Sequence, residues 1–277
     1  MTQPRNTQPG RGGPGRREQR SVRRRGPVRC VVTAVSRPTP RTVRVEIAGL
    51  AGVEPTGPDQ RVTLAFPAGR TFGADPAEAA AARRRRRTYT LLDLDPGAGT
   101  AAIEFVVHGA GIAGPWAQQA QPGDELDVTG PIGRFELDAD AAEHVLICDE
   151  TGIPAARAIV RGPTAGMRVR VYAEVGDAAE RVDLGLRPDG TGDPEPVTWL
   201  ERGTRASGEA MAALVGEVDC EPSAQVWVAG EASAVRALRT HLVAELGLER
   251  RRVTAVAYWT AGHAEGDPAS GRPGEHD

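Results

Sequence analysis

A change of period near residue 143 constrains this 277-residue chain more than any other feature. Ahead of it, short β-rich runs follow one another: 28–35 (VRCVVTAV), 42–48 (TVRVEIA), 61–66 (RVTLAF), 88–93 (TYTLLD), 101–107 (AAIEFVV) and 125–129 (ELDVT). Pro and Gly turns separate them, a long Ala/Arg loop covers 67–86, and one helical stretch falls near 115–120. Strands without intervening helices pair with their neighbours as an antiparallel barrel or sandwich. Beyond residue 143, strands alternate with helices. Strands are predicted at 144–148 (HVLIC), 168–175 (RVRVYAEV), 196–200, 225–229 (QVWVA) and 253–258, and helices at 152–160, 207–215 and 233–246. In the last helix Val235, Leu238, Leu242 and Leu246 recur at helical spacing, and Gly247 suits its end. Alternation of this kind builds a parallel α/β sheet. The expected chain is therefore a β domain of six antiparallel strands over 28–140, an α/β domain over 141–263, and polar tails at 1–27 and 264–277.

Charge narrows the function classes. All 34 cations are Arg, against 37 acids, for a net charge of -3. Residues 1–29 carry nine of the Arg and one acid, Glu18, or +8, which leaves -11 on the rest. The basic tail lacks apolar residues to bury, so it is expected to be disordered. It also lacks aromatic residues for stacking on bases, so a nucleic-acid partner is not expected. No apolar window reaches membrane-spanning length, and no apolar run follows Arg16–Arg17 as a signal would require. Cys30, Cys148 and Cys220 lie far apart in no metal-ligand spacing, which points to a reducing, cytoplasmic setting with neither a disulfide framework nor a structural zinc.

Ligands of an open parallel sheet bind beyond the carboxyl ends of its strands. Three segments end strands in that way: Asp149-Glu150-Thr151-Gly152-Ile153-Pro154, Gly230-Glu231-Ala232, and Tyr258-Trp259. None is a Gly-rich dinucleotide fingerprint, and an acid such as Asp149 or Glu150 also serves as an ordinary helix-start residue. In the β domain, Arg87-Thr88-Tyr89-Thr90 places a guanidinium and a ring on one face of a strand and two hydroxyls on the other. An Arg beside a Tyr suits a ligand with a pyrophosphate and a planar ring. A solvated Arg run entering an ordinary strand fits the same letters. His108-Gly109 and Thr129-Gly130-Pro131 end two later strands, where Gly permits close backbone approach.

Seven segments taken in order resemble the siderophore-interacting proteins, FAD-dependent ferric-siderophore reductases of the ferredoxin–NADP reductase superfamily. They are RTYT (87–90), FVVHG (105–109), GPWAQQAQPGDELDVTGPIG (114–133), CDETGIPAARAIV (148–160), VTWLERG (197–203), VWVAGEASAVRALRTHL (226–242) and AYWTAGH (257–263). The resemblance implies a flavin-binding six-stranded β-barrel followed by a nicotinamide-binding α/β domain. It implies that Arg87 holds the FAD pyrophosphate, that Tyr89 packs on the isoalloxazine, and that Thr90 bonds near its N5 edge. It sets His108, Gly109, Thr129, Gly130 and Pro131 around the flavin. Asp149, Glu150, Thr151 and Pro154 would form the nicotinamide loop together with Gly230, Glu231 and Ala232. Arg236 and Arg239 would reach cofactor phosphates, and Tyr258 and Trp259 would lie next to the flavin. The implied cofactors are FAD and NADPH or NADH, the implied partner is a ferric siderophore as small-molecule substrate, and a cytoplasmic monomer is expected. No catalytic acid, base or metal is implied, because the flavin carries the electrons.

Two positions depart from the family pattern. Leu92 and Thr260 stand where arginines are usual, which opens two alternatives: a flavin enzyme with another acceptor, and a non-catalytic relative that has lost FAD. Arginines within 83–86 are the first candidates to substitute for the missing charges.

Overall fold

The computed structural model describes residues 26–72, 85–107, 111–133, 135–162, 167–186 and 197–263. The expectations for residues 1–25, for 73–84 of the Ala/Arg loop, for His108 and Gly109, and for the tail at 264–277 lie outside the described residues.

Among the described residues seven strands, one more than expected, make the first sheet: β1 (Val28–Thr39), β2 (Thr42–Ala48), β3 (Arg61–Ala65), β4 (Arg86–Thr90), β5 (Leu92–Asp95), β6 (Thr100–Val106) and β7 (Glu125–Ile132). All its pairings are antiparallel, in the order β4-β3-β7-β1-β2-β6-β5. The run 88–93 breaks at Leu91. Its N–H donates to the carbonyl of Gln60 at 3.0 Å, while the residues before it pair with β3 and those after it with β6. The two edge strands are thus joined through a single residue, and the sheet curls on itself as a barrel. Its interior follows the period of two: Val43, Val45 and Ile47 on β2, Ile103 and Phe105 on β6, Val62 and Leu64 on β3, all buried. Helix α1 (Ala113–Gln119) sets Trp116 against Phe66 and Phe105, with ring centroids 5.0 Å and 5.8 Å away. Each such side chain contributes about 1.5–3 kcal/mol by leaving water.

The second sheet is wholly parallel. It contains β8 (His144–Cys148), β9 (Val169–Val175), β10 (Val197–Glu201), β11 (Gln225–Glu231) and β12 (Val253–Trp259) in the order β10-β9-β8-β11-β12. Helices α2 (Ile153–Val160), α3 (Glu209–Ala212) and α4 (Ala232–Thr240) cover it. Central strands β8 and β11 are buried at every residue, as a sheet covered on both faces requires. One face packs Leu146, Val171 and Trp227 with Ile159 of α2; the other packs Ile147 and Val228 with Leu238 of α4.

The helix expected over 233–246 is regular only to Thr240. His241–Glu245 then widens into a π turn, closed by the Leu246 N–H on the His241 carbonyl at 3.0 Å. All three cysteines are free, and among the described residues no His, Cys, Asp and Glu cluster could hold a metal. No described helix is long and apolar enough to cross a membrane.

Candidate functional site

The parallel sheet reverses direction of growth between β8 and β11, so a crevice opens above their carboxyl ends. Asp149 follows β8 there, with no exposed surface. Its Oδ1 accepts the N–H of Thr151 at 2.9 Å and the Thr151 hydroxyl at 2.5 Å. Its Oδ2 accepts the Glu231 N–H and the Trp259 indole N–H, both at 2.8 Å. One carboxylate therefore knots the ends of β8, β11 and β12 together. Burial pushes its pKa up to about 6, against the hydrogen bonds from Thr151 and Trp259, which stabilise the anion, and with Glu150 adding repulsion. Gly230 is obligatory beside it. A Cβ at Gly230 would lie 2.5 Å from Asp149 Oδ2, and the backbone there has φ +149°.

The other acids of the two loops are also committed to the protein. Glu231 caps α4, accepting the N–H groups of Ser233 at 2.6 Å and Ala234 at 3.1 Å, and its Oε1 accepts the Ala261 N–H at 3.2 Å. Burial opposes its charge, but the bonds from Ser233, Ala261 and Ala234 hold its carboxyl below the usual carboxylate range. Glu150 is ion-paired with Arg202, whose guanidinium also lies 3.6 Å from the fully buried Glu174. Glu174 in turn accepts the N–H groups of Gly208 and Met211 at 2.7 Å each. Neither Arg202 nor Glu174 was marked by the sequence, since their partners are remote in the chain. The cap was not marked either, because Glu231 is not among the residues that usually start a helix this way: Ser, Thr, Asp, Asn and Gly.

On the barrel side, Arg87 and Tyr89 are both half-buried, whereas Thr88 is exposed and Thr90 buried. The ladder with β3 is regular through these residues, so Thr88 and Thr90 share a face and differ only in how far they are covered. Tyr89 leans on Phe105 with centroids 4.6 Å apart, and so belongs partly to the barrel core. Arg87 spends one N–H on the carbonyl of Arg86 at 2.6 Å and has no acidic partner among the described residues. The Thr90 side chain lies near enough to the Tyr258 hydroxyl to favour its ionised form against burial, which sets the β4 end of the barrel beside the end of β12. Burial drives the Tyr258 phenol well above its ordinary pKa, so it remains protonated. Its ring meets Trp227 edge-on at 6.4 Å.

The candidates fall into two groups. Thr90, Tyr258, Trp259, Asp149, Thr151, Gly230 and Glu231 form one connected cluster across both domains. Thr129 pairs with Thr63, which pairs with Thr88, so Thr129, Gly130 and Pro131 are one strand removed from β4. Pro154 starts α2, Ala232 starts α4, and Arg236 and Arg239 lie farther along α4, exposed and half-buried respectively. Leu92 is buried and lines a cleft of about 350 Å³ with Arg157 and Arg161 of the parallel domain. Of the two, Arg157 is ion-paired with Glu104, so Arg161 is the cation that stands to supply charge beside Leu92.

A family model described as "Siderophore-interacting FAD-binding domain" matches residues 31–135, and one described as "Siderophore-interacting protein" matches residues 141–262. A siderophore utilization protein from T. fusca has the same fold, with a TM-score of 0.72 and 32% identity over 86% of this chain and 94% of that one. The chain belongs to the siderophore-interacting protein family. It is 33% identical over 163 residues to the NADPH-dependent ferric-chelate reductase of Escherichia coli K12, a match covering 58% of this chain and 61% of that relative's length. It is 30% identical over 185 residues to the ferric vibriobactin reductase of Vibrio cholerae, covering 65% and 66%.

Proposed function

We propose that this family member is an NAD(P)H-dependent ferric-siderophore reductase, with FAD held by the barrel (28–140) and nicotinamide by the parallel domain (141–263). The observation that carries this is the convergence of Thr90 with Tyr258 and Trp259, where the barrel strand bearing Arg87 and Tyr89 meets the carboxyl edge of the parallel sheet. The residues present fit a flavin dinucleotide. Arg87 is a cation without an acidic partner among the described residues, a side chain of the type that binds a pyrophosphate, and Tyr89 offers a half-open ring beside it. When bound, FAD supplies the redox chemistry: two electrons and a proton arrive as hydride from NAD(P)H, and the electrons leave singly to ferric chelates, whose Fe(II) product hard oxygen ligands hold far less tightly.

The chain's own groups bind and orient. Thr90 and the protonated Tyr258 present hydroxyls at the edge where ring systems from the two domains would meet. The Asp149 carboxylate donates no proton; it fixes the Trp259 indole and the Gly230–Glu231 backbone, so the C-terminal aromatic pair keeps one orientation. Glu231 and Glu150 serve as supports, through the α4 cap and through Arg202, in place of the direct nicotinamide contacts that the resemblance implies. Action in the cytoplasm is part of the same proposal.

Titrating the purified chain with FAD tests it. The wild type is expected to take up FAD and show flavin absorbance, and Arg87→Ala to bind at least about tenfold more weakly, the loss of one charge-assisted contact of roughly 1.4 kcal/mol. A colourless protein that takes up no added FAD would overturn the proposal.

A further inference from the structure

Among the described residues, helix α2 is the element pressed between both sheets. Seven of its eight residues are buried, and only Ala158 is less so. Ile153, Ala156 and Ile159 pack into the parallel domain. Arg157 instead reaches the barrel, where its Nη2 binds Oε1 of Glu104 on β6. The same Oε1 accepts Arg44 Nη1 at 3.2 Å, and Arg44 Nη2 holds Asp93 on β5 at 2.5 Å. Arg157 and Glu104 are only 8% and 6% exposed. Glu104 faces away from the barrel core: its β6 neighbours Ile103 and Phe105 point into it, and Glu104 lies outward under the helix.

An apolar contact between two layers tolerates sliding. A buried ion pair does not, because a displaced charge loses its partner without gaining water. Helix α2 begins at the loop that holds Asp149: the Gly152 carbonyl accepts the Ala156 N–H at 2.9 Å, and the Gly152 N–H donates to the Asp149 carbonyl at 2.9 Å. A shift of α2 along the barrel would therefore carry the 149–152 loop with it, away from Thr90.

We infer that the Arg157–Glu104 pair, backed by Arg44, sets the spacing between the two domains at which nicotinamide and flavin meet, so that Arg157 and Glu104 are positioning residues for hydride transfer. The inference rests on the proposed function. A buried pair of this kind is weak evidence for stability, since apolar replacement of both partners is often neutral. That separates stability from positioning.

The test uses the full chain as Glu104→Gln, Arg157→Met, Arg157→Lys and the double variant Glu104→Met/Arg157→Met. Four quantities are read: Tm, FAD affinity, the rate at which NADPH bleaches the bound flavin, and the rate at which dithionite-reduced protein is reoxidised by ferric citrate. The single variants Glu104→Gln and Arg157→Met are expected to lower Tm and the double variant to restore it. All three should still be bleached about tenfold more slowly or worse, with FAD affinity and reoxidation unchanged, and Arg157→Lys should recover most of the bleaching rate. Recovery of bleaching together with Tm in the double variant would overturn the inference, as would wild-type bleaching in Arg157→Met. If the wild type binds no FAD, the proposed function fails first. The pin is then read by hydrogen exchange on the FAD-free chain: faster exchange of α2 amides in Glu104→Gln supports it, and unchanged exchange overturns it.

Discussion

Replacing Asp149 by Asn keeps the size of the side chain and removes one acceptor. The carboxylate receives four donors, two on each oxygen. An amide has one oxygen, so in either orientation its NH2 group faces two N–H or O–H donors. Two hydrogen bonds to a charged group are lost, at about 1.5–3 kcal/mol each. The substitution also removes the cost of keeping a buried carboxylate ionised. The pKa rises from 3.8 to about 6, and at 1.36 kcal/mol per unit that cost is about 3 kcal/mol. Because that shift is already the net of burial and these hydrogen bonds, the two effects largely offset at pH 7, and Tm is expected to fall by no more than about 4 °C.

Acidity gives a sharper signature. Because the folded pKa lies above the unfolded one, the wild type binds more protons folded than unfolded between them. Its stability from this group is present below about pH 4 and is lost as pH rises through about 6. The amide of the Asp149→Asn variant takes up no proton in this range, so the gap between wild type and variant should widen by about 2 kcal/mol on going from pH 7 to pH 4. Urea unfolding followed by tryptophan fluorescence at pH 7, 5.5 and 4 measures it. A gap that stays constant or narrows towards acid would refute the reasoning that burial outweighs the hydrogen bonds in setting the Asp149 carboxyl.

Further outcomes are expected. Gly230→Ala should cost about 3 kcal/mol or more in denaturant unfolding, because its Cβ would meet Asp149 Oδ2 at 2.5 Å in a backbone region closed to Ala. His144 is fully buried and burial lowers its pKa, so its contribution is present above about pH 6.5 and lost as pH falls below it; His144→Gln should flatten that acid limb of the Tm profile. Deleting residues 1–27 should leave reductase turnover unchanged, as measured by NAD(P)H oxidation.

Much of the fold was written in local periodicity. β-rich runs bounded by turns reveal β2 and β6, and the spacing of Val235, Leu238 and Leu242 reveals α4. What escaped depends on distant partners. Leu91 divides a continuous β-rich run because its two halves find different neighbours, β3 and β6, and no local pattern records that. The π turn after Thr240 keeps the same apolar stripe as an α-helix, so the stripe could not distinguish them. The candidate site was legible as positions more than as roles. Asp149, Glu231, Tyr258 and Trp259 were found from the ends of strands, but the inward orientation of the first two carboxylates follows from Ser233, Thr151 and Trp259 converging on them. Glu104 and Arg157 were invisible, since a charge at the middle of a strand or helix reads as solvent-facing until a second layer covers it.

The most direct test is an anaerobic two-step absorbance measurement on the FAD-loaded chain. NAD(P)H should bleach the flavin band, and a ferric siderophore added afterwards should restore it, with one Fe(II) trapped by a colorimetric chelator for each electron returned. A band that bleaches but stays bleached in the presence of ferric siderophores would contradict the account and point to another acceptor.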